Sequence, residues 1–150
     1  MKTIEESIDI EVPLTTAYNQ WTQFESFPQF MKGIERVEQT GDTRLHWVAE
    51  VGGEKREWDA EITEQFPDDR IAWKAIDQDG PNGFVSFDKL GNARTKVQVR
   101  MSYDPEGVKE SIGSLIGLDS GRVKGDLESF KEFIESRGGE TGAWRGEVEN

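Results

Sequence analysis

Between Ile34 and Tyr103 the chain repeats one short pattern. Apolar and polar residues alternate over a run, a cluster of Gly, Asn, Asp or Pro follows, and the alternation restarts. A period of two places successive side chains on opposite faces of a strand, and the punctuating residues supply tight turns. "IERVEQT", "RLHWVAEV", "KREWDAEITEQF", "RIAWKAI", "FVSFDKL" and "ARTKVQVRMSY" read as six strands joined by short connections such as "GD", "GGE", "PDD" and "GNA". Connections this short join antiparallel neighbours. Few architectures accept such a meander: one apolar face must be covered by something else in the chain.

The remaining segments supply the cover. Residues 4–12, "IEESIDIEV", alternate Ile4, Ile8, Ile10 and Val12 with charges and form a further strand. Pro13 then opens a helix, "PLTTAYNQW", with Leu14, Ala17, Tyr18 and Trp21 on one stripe. A second short helical piece, "FESFPQFMKG", carries Phe24, Phe27, Phe30 and Met31 and ends at Gly33. After Tyr103 the pattern turns helical. Asp104 is placed to cap, and a break is expected near "GLDSG", with Asp119 or Ser120 capping a longer second segment. Val123, Leu127, Phe130 and Ile134 form its apolar stripe, and Gly138 and Gly139 end it. Gly113, Gly117, Gly121 and Gly125 recur every fourth residue. They imply a break in the helix or space beside it, in either case a weakly held gate. Residues 138–150 read as a mobile tail. Trp144 stands out there, either folded back on the body or in contact with another chain.

The expected fold is therefore α+β, a seven-stranded antiparallel sheet curled around a long C-terminal helix, with two short helices after the first strand. Residues 1–137 form the domain. A helix of about 18 residues spans roughly 27 Å, enough to cross such a sheet. A sheet curled about one helix does not close tightly, and space remains between them.

Trp47, Trp58 and Trp73 come from three consecutive strands and share the inward parity. Adjacent strands lie about 4.8 Å apart, so the rings can form a band across the sheet. Buried indole N–H groups need partners. Two arrangements are open: the rings pack under the helix, or they line a hollow.

Chemistry-bearing residues are sparse. The net charge of −12 opposes phosphate backbones and anionic lipid heads, so neither nucleic acid nor membrane insertion is expected. There is no cysteine, and His46 is the only histidine, assigned by parity to the outer face. No metal site or cofactor is expected. Glycine-rich phosphate loops and nucleophile elbows are absent from the sequence. Glu57, Asp59 and Glu61 form a one-sided acidic row facing Arg44, Lys74 or Arg100. With no apolar leader-like stretch, the chain reads as cytoplasmic. Nothing in the pattern sets an oligomeric state.

The segments "IEVPLTTAYNQWTQFESFPQFMKGIERVE", "EKREWDAEITEQFPDDRIAWKA" and "GFVSFDKLGNARTKVQVRMSYDP" carry a resemblance. Over residues 3–137 the chain resembles the START-related (SRPBCC) superfamily with the helix-grip fold, in particular its polyketide cyclase/dehydrase and lipid-transport branch. The resemblance implies a cavity between sheet and helix for a small hydrophobic ligand, lipid-like or polycyclic aromatic. The residues expected around it are Trp47, Trp58, Trp73, Phe87, Met101, Tyr103 and Phe30. A cyclase or dehydratase of polyketide type is the alternative, with Tyr103 or Tyr18 as acid. A protein–protein adaptor with a filled core is the third reading.

Overall fold

A computed structural model describes residues 2–51, 53–76, 81–103 and 119–149. The strands are β1 (Lys2–Ile10), β2 (Ile34–Gln39), β3 (Arg44–Val51), β4 (Glu54–Phe66), β5 (Arg70–Ala75), β6 (Asn82–Gly91), β7 (Arg94–Tyr103) and β8 (Val148–Glu149). The helices are α1 (Leu14–Trp21), a 3-10 turn (Phe24–Gln29) and α2 (Ser120–Arg137). The seven long strands pair antiparallel in the order β1-β7-β6-β5-β4-β3-β2. This is the expected α+β helix-grip arrangement. The expected helix over 104–118, with its Asp104 cap and the gate around Gly113 and Gly117, lies outside the described residues.

α2 begins where the residue chemistry favours it. Asp119 stays extended and its carboxylate accepts from the Arg122 N–H at 2.8 Å. Gly138 ends the helix in the left-handed region, φ 82°. Val123, Leu127, Phe130 and Ile134 are buried, as the stripe requires. Gly121 and Gly125 lie on the exposed side, so the room they leave is toward solvent and not beneath the helix.

α2 rests along β1. Lys124 Nζ donates to the Ser7 carbonyl at 2.6 Å, Lys131 Nζ to that of Asp9 at 3.2 Å, and Glu135 accepts from the Glu11 N–H at 2.8 Å. This seat draws the helix toward one edge of the curved sheet. Large side chains from β3, β4 and β5 must bridge the wider gap on the other side.

Two features depart from expectation. Strict alternation over "KREWDAEITEQF" places Phe66 on the inward face with Trp58, Ala60 and Ile62. The β4–β5 register shifts between Ile62 and Glu64. One extra residue in a strand reverses the parity beyond it. Gln65 is therefore the buried residue, and Phe66 lies beneath the Arg70 guanidinium, 4.4 Å from its ring centre.

The second departure is the segment after Gly138, expected to be mobile. It is laid across α1 and tied at several points. Thr141 N–H donates to Gln20 Oε1 at 2.9 Å, and Gln20 Nε2 donates back to Thr141 Oγ1 at 3.1 Å. Trp144 N–H donates to Thr22 Oγ1 at 3.0 Å, and Arg145 bonds Asn19 Oδ1 at 2.7 Å and Asp68 at 2.9 Å. β8 then pairs with β4 at Glu64 and Gln65. Trp144 packs against the core from outside, the folded-back arrangement of the two foreseen for it. The same cover explains why α1 buries the consecutive residues Ala17 to Trp21. One side meets the sheet and the other meets the strap.

Candidate functional site

The tryptophan band forms. Trp47 and Trp58 are directly opposite in the β3–β4 register. Their rings stack with centroids 5.8 Å apart and planes 6° from parallel. Trp73 pairs with Ile62, not Trp58, yet its ring centre is 5.8 Å from that of Trp47 at 28°. The rings reach one another across β4 because Ala60, the inward residue between Trp58 and Ile62, has almost no side chain. Trp73 in turn lies across β6 at Gly83, its register partner. A Cβ there would stand 2.2 Å from Trp73 Cζ2.

The short helices close one end of the concave face with rings. Trp21 meets Phe27, Phe30 and Phe130 at centroid distances of 5.2, 5.7 and 5.2 Å. Phe27 touches Trp47 at 5.8 Å, and Phe24 touches Trp73 at 6.4 Å. The plug and the band are thus one aromatic network.

A cavity remains between the band and the first turns of α2. The cavity itself has a volume of about 60 Å³, and with its open mouth the space comes to about 670 Å³. A cavity of about 10–15 Å³ holds one water, so the site exceeds a single-water void. Its deep wall is Trp21, Phe30, Trp47, Trp58, Trp73, Val99, Val123 and Leu127, all buried. The partly exposed rim is Met31, Lys32, Ile34, Met101, Arg122 and Asp126.

The residues of this wall also carry polar atoms that are sealed from the space itself. The indole N–H groups of Trp21, Trp47 and Trp58 are buried and have no hydrogen-bond partner among the described residues. An unpaired buried donor costs about 1–3 kcal/mol. Three in one aromatic network are a large liability for a domain whose net stability is about 5–15 kcal/mol.

The rim carries a backbone clamp. Asp126 accepts from the Lys32 N–H at 3.2 Å, while Arg122, one turn earlier on α2, donates to the Lys32 carbonyl through Nε at 3.0 Å and through Nη2. Both polar groups of one residue in the 3-10–β2 connection are thereby tied to α2. Burial pushes the Asp126 carboxyl up to about 6, against the opposing pull of the Lys32 N–H and the Arg122 and Lys32 charges.

Of the residues expected around a ligand, Trp47, Trp58, Trp73, Met101 and Phe30 line this cavity. Phe87 and Tyr103 are buried but stand elsewhere. Phe87 packs edge-on against Tyr18, 5.5 Å between centroids, under α1. Tyr103 ends β7, paired with Lys2. Tyr18 is enclosed by the strap, with Arg145 5.5 Å from its ring centre and the Gln65 amide beside it without closing a hydrogen bond of good geometry. Burial raises its pKa above the ordinary phenol value. Neither tyrosine reaches the cavity wall.

Trp21, Asp126 and Arg122 were not foreseen as site residues. A signal existed for the acid: Asp126 is three residues after Val123 and adjoins Leu127, so it interrupts the edge of an apolar stripe. His46 lies on the outer face as expected, both ring nitrogens 2.8 Å from carboxylate oxygens of Asp59 and Glu57. Those two hydrogen bonds raise its pKa. Glu61 stands opposite Arg44 and Lys74 in the ladder, whereas Arg100 pairs with Glu5 of β1 at 3.0 Å.

Comparison with known proteins agrees with this geometry. An uncharacterized 17.2 kDa protein from Streptomyces lincolnensis, in the melC2-rnhH intergenic region, is 53% identical over 149 residues, 99% of each chain. The solved structure of a START superfamily protein from Mycobacterium smegmatis superposes with a TM-score of 0.75 at 12% identity, covering 90% of this chain and 98% of the other. That of the Zhui aromatase/cyclase from Streptomyces sp. R1128 gives 0.71 at 14% identity, covering 95% and 99%. At such identities these two likenesses speak for the fold alone. Residues 10–132 match the family described as polyketide cyclase / dehydrase and lipid transport, and the chain belongs to that family.

Proposed function

We propose that the protein binds a small hydrophobic molecule in the cavity between the tryptophan band and α2. The observation that carries the reading is an apolar wall, built from three strands, the short helices and α2, that the helix does not seal. Burying apolar surface is favourable by about 25 cal/mol per Å², and this wall offers it to a guest without unfolding anything. Membership of a family that includes lipid-transport proteins supports the reading. The adaptor alternative relied on a filled core, and the open cavity gives it no support.

Titration with the neutral apolar fluorophore N-phenyl-1-naphthylamine tests it. Saturable quenching of tryptophan emission is expected. Met101→Trp, which extends a ring from the half-buried rim into the space, should weaken binding at least tenfold while far-UV circular dichroism is unchanged. Absence of quenching by any neutral apolar probe would count against the proposal.

A second reading, catalysis in the same cavity, draws on Asp126. A carboxyl titrating at about 6 on the rim lies in the range where proton transfer near neutral pH is efficient. Turnover that Asp126→Asn abolishes without loss of binding would support an enzyme of cyclase or dehydratase type. Tyr18 and Tyr103, outside the lining, are less well placed for that part.

A further inference from the structure

Asp126 brings the one carboxyl found among the described residues that line the cavity, and its partners are few. Among the described residues only the Lys32 N–H bonds it, through Oδ1 at 3.2 Å, and it forms no ion pair. Arg122, one turn earlier on α2, is turned instead to the Lys32 carbonyl. Lys32 itself is exposed, so solvent screens its ammonium. Oδ2 of Asp126 is thus an acceptor at the mouth that the chain leaves open. A carboxylate there is costly. Burial disfavours its charge by more than the Lys32 N–H and the neighbouring cations restore, which is why its pKa rises to about 6. A leucine at this edge of the apolar stripe would cover the same wall without that penalty.

From this we infer that the cavity takes apolar amines, whose hydrocarbon body lies against the aromatic wall while the ammonium, at the mouth, donates to the open oxygen of Asp126. The inference rests on the reading that the cavity binds a hydrophobic guest, and adds the charge which that guest carries. An ammonium on a half-buried carboxylate makes a charge-assisted hydrogen bond that salt screens less than an exposed pair. The wall tolerates such a guest, because aromatic rings attract cations through their faces. The net charge of −12 draws cations toward the protein. An anionic end at the mouth would meet the Asp126 carboxylate at short range, with Arg122 already engaged on the Lys32 carbonyl.

The test compares 2-naphthylmethylamine, 2-ethylnaphthalene and 2-naphthoate, probes of similar size that differ in charge, by calorimetry on the full-length protein at pH 8. At that pH the amine is protonated and Asp126 is ionised. The amine should bind more tightly than the hydrocarbon by about tenfold, with naphthoate the weakest of the three. Asp126→Asn keeps the shape and removes the charge, so it should cut the amine preference to about threefold or less; should that variant not fold, Asp126→Ser serves. Equal binding of amine and hydrocarbon, or tighter binding of naphthoate, would overturn the inference and leave the hydrophobic-cavity reading intact. An amine preference that Asp126→Asn leaves unchanged would overturn it too, since the preference would then come from the overall charge and not from this carboxyl. If none of the three binds but N-phenyl-1-naphthylamine does, the inference is again overturned alone. If none of the four binds, both fail.

Discussion

A methyl group added at Gly83 would stand 2.2 Å from Cζ2 and 2.3 Å from Cε2 of Trp73, inside any real contact distance. The indole is rigid, so it must swing away and give up its stack on Trp47. Overpacking of this kind costs about 1–3 kcal/mol. Gly83→Ala is therefore expected to lower the melting temperature and alter the near-ultraviolet circular dichroism of the tryptophans; an unchanged spectrum would show that Trp73 lies elsewhere. Asp126 makes a prediction of opposite sign. Its folded-state pKa is raised to about 6 from the ordinary 3.8, so the native state holds a proton that the unfolded chain releases. The resulting stability is fully present below about pH 4 and is lost as pH rises to about 6. Asn keeps an acceptor for the Lys32 N–H without the charge. Asp126→Asn should thus be more stable than the parent at pH 7, with the advantage vanishing near pH 4, measured by urea unfolding. An advantage independent of pH would refute the assignment. At this scale the tryptophans were legible because alternation marks the inward face. Phe87 and Tyr103 share that face but sit at other places along it, and parity carries no information about position along a strand.

The helix α2 and its limits were readable from Asp119, the stripe and Gly138, because local capping chemistry decides them. The bulge in β4 was not, since a single extra residue is specified by the partner strand and leaves no local mark. The strap after Gly138 was hidden for a related reason. Its ties run to Asn19, Gln20, Thr22 and Asp68, about half the chain or more away in sequence, and its own composition is that of a loop. Removing residues 140–150 would expose the buried amides of α1 and break the Arg145–Asp68 and Arg145–Asn19 contacts. We expect a loss of about 2 kcal/mol, or roughly 4–8 °C in melting temperature for a chain of this size. A truncated protein melting with the parent would mean that the strap contributes nothing. Such a truncation should also leave probe binding intact, because no strap residue lines the cavity.

The whole molecule is organised by an asymmetry. Lys124, Lys131 and Glu135 fasten α2 to β1, and three large indoles answer from the far side of the sheet without meeting the helix everywhere. The order of elements made this architecture readable, since a long meander with one apolar face needs a single long cover. The size of the remaining space was not readable, because it depends on where the helix settles to within a side chain's width. The most direct measurement is a crystal structure under xenon pressure, which reports dry, accessible space without presuming a ligand. Xenon is predicted between Trp58, Val99, Met101, Val123 and Leu127. Ordered side chains in van der Waals contact throughout that volume, with no xenon there at saturating pressure, would contradict the account.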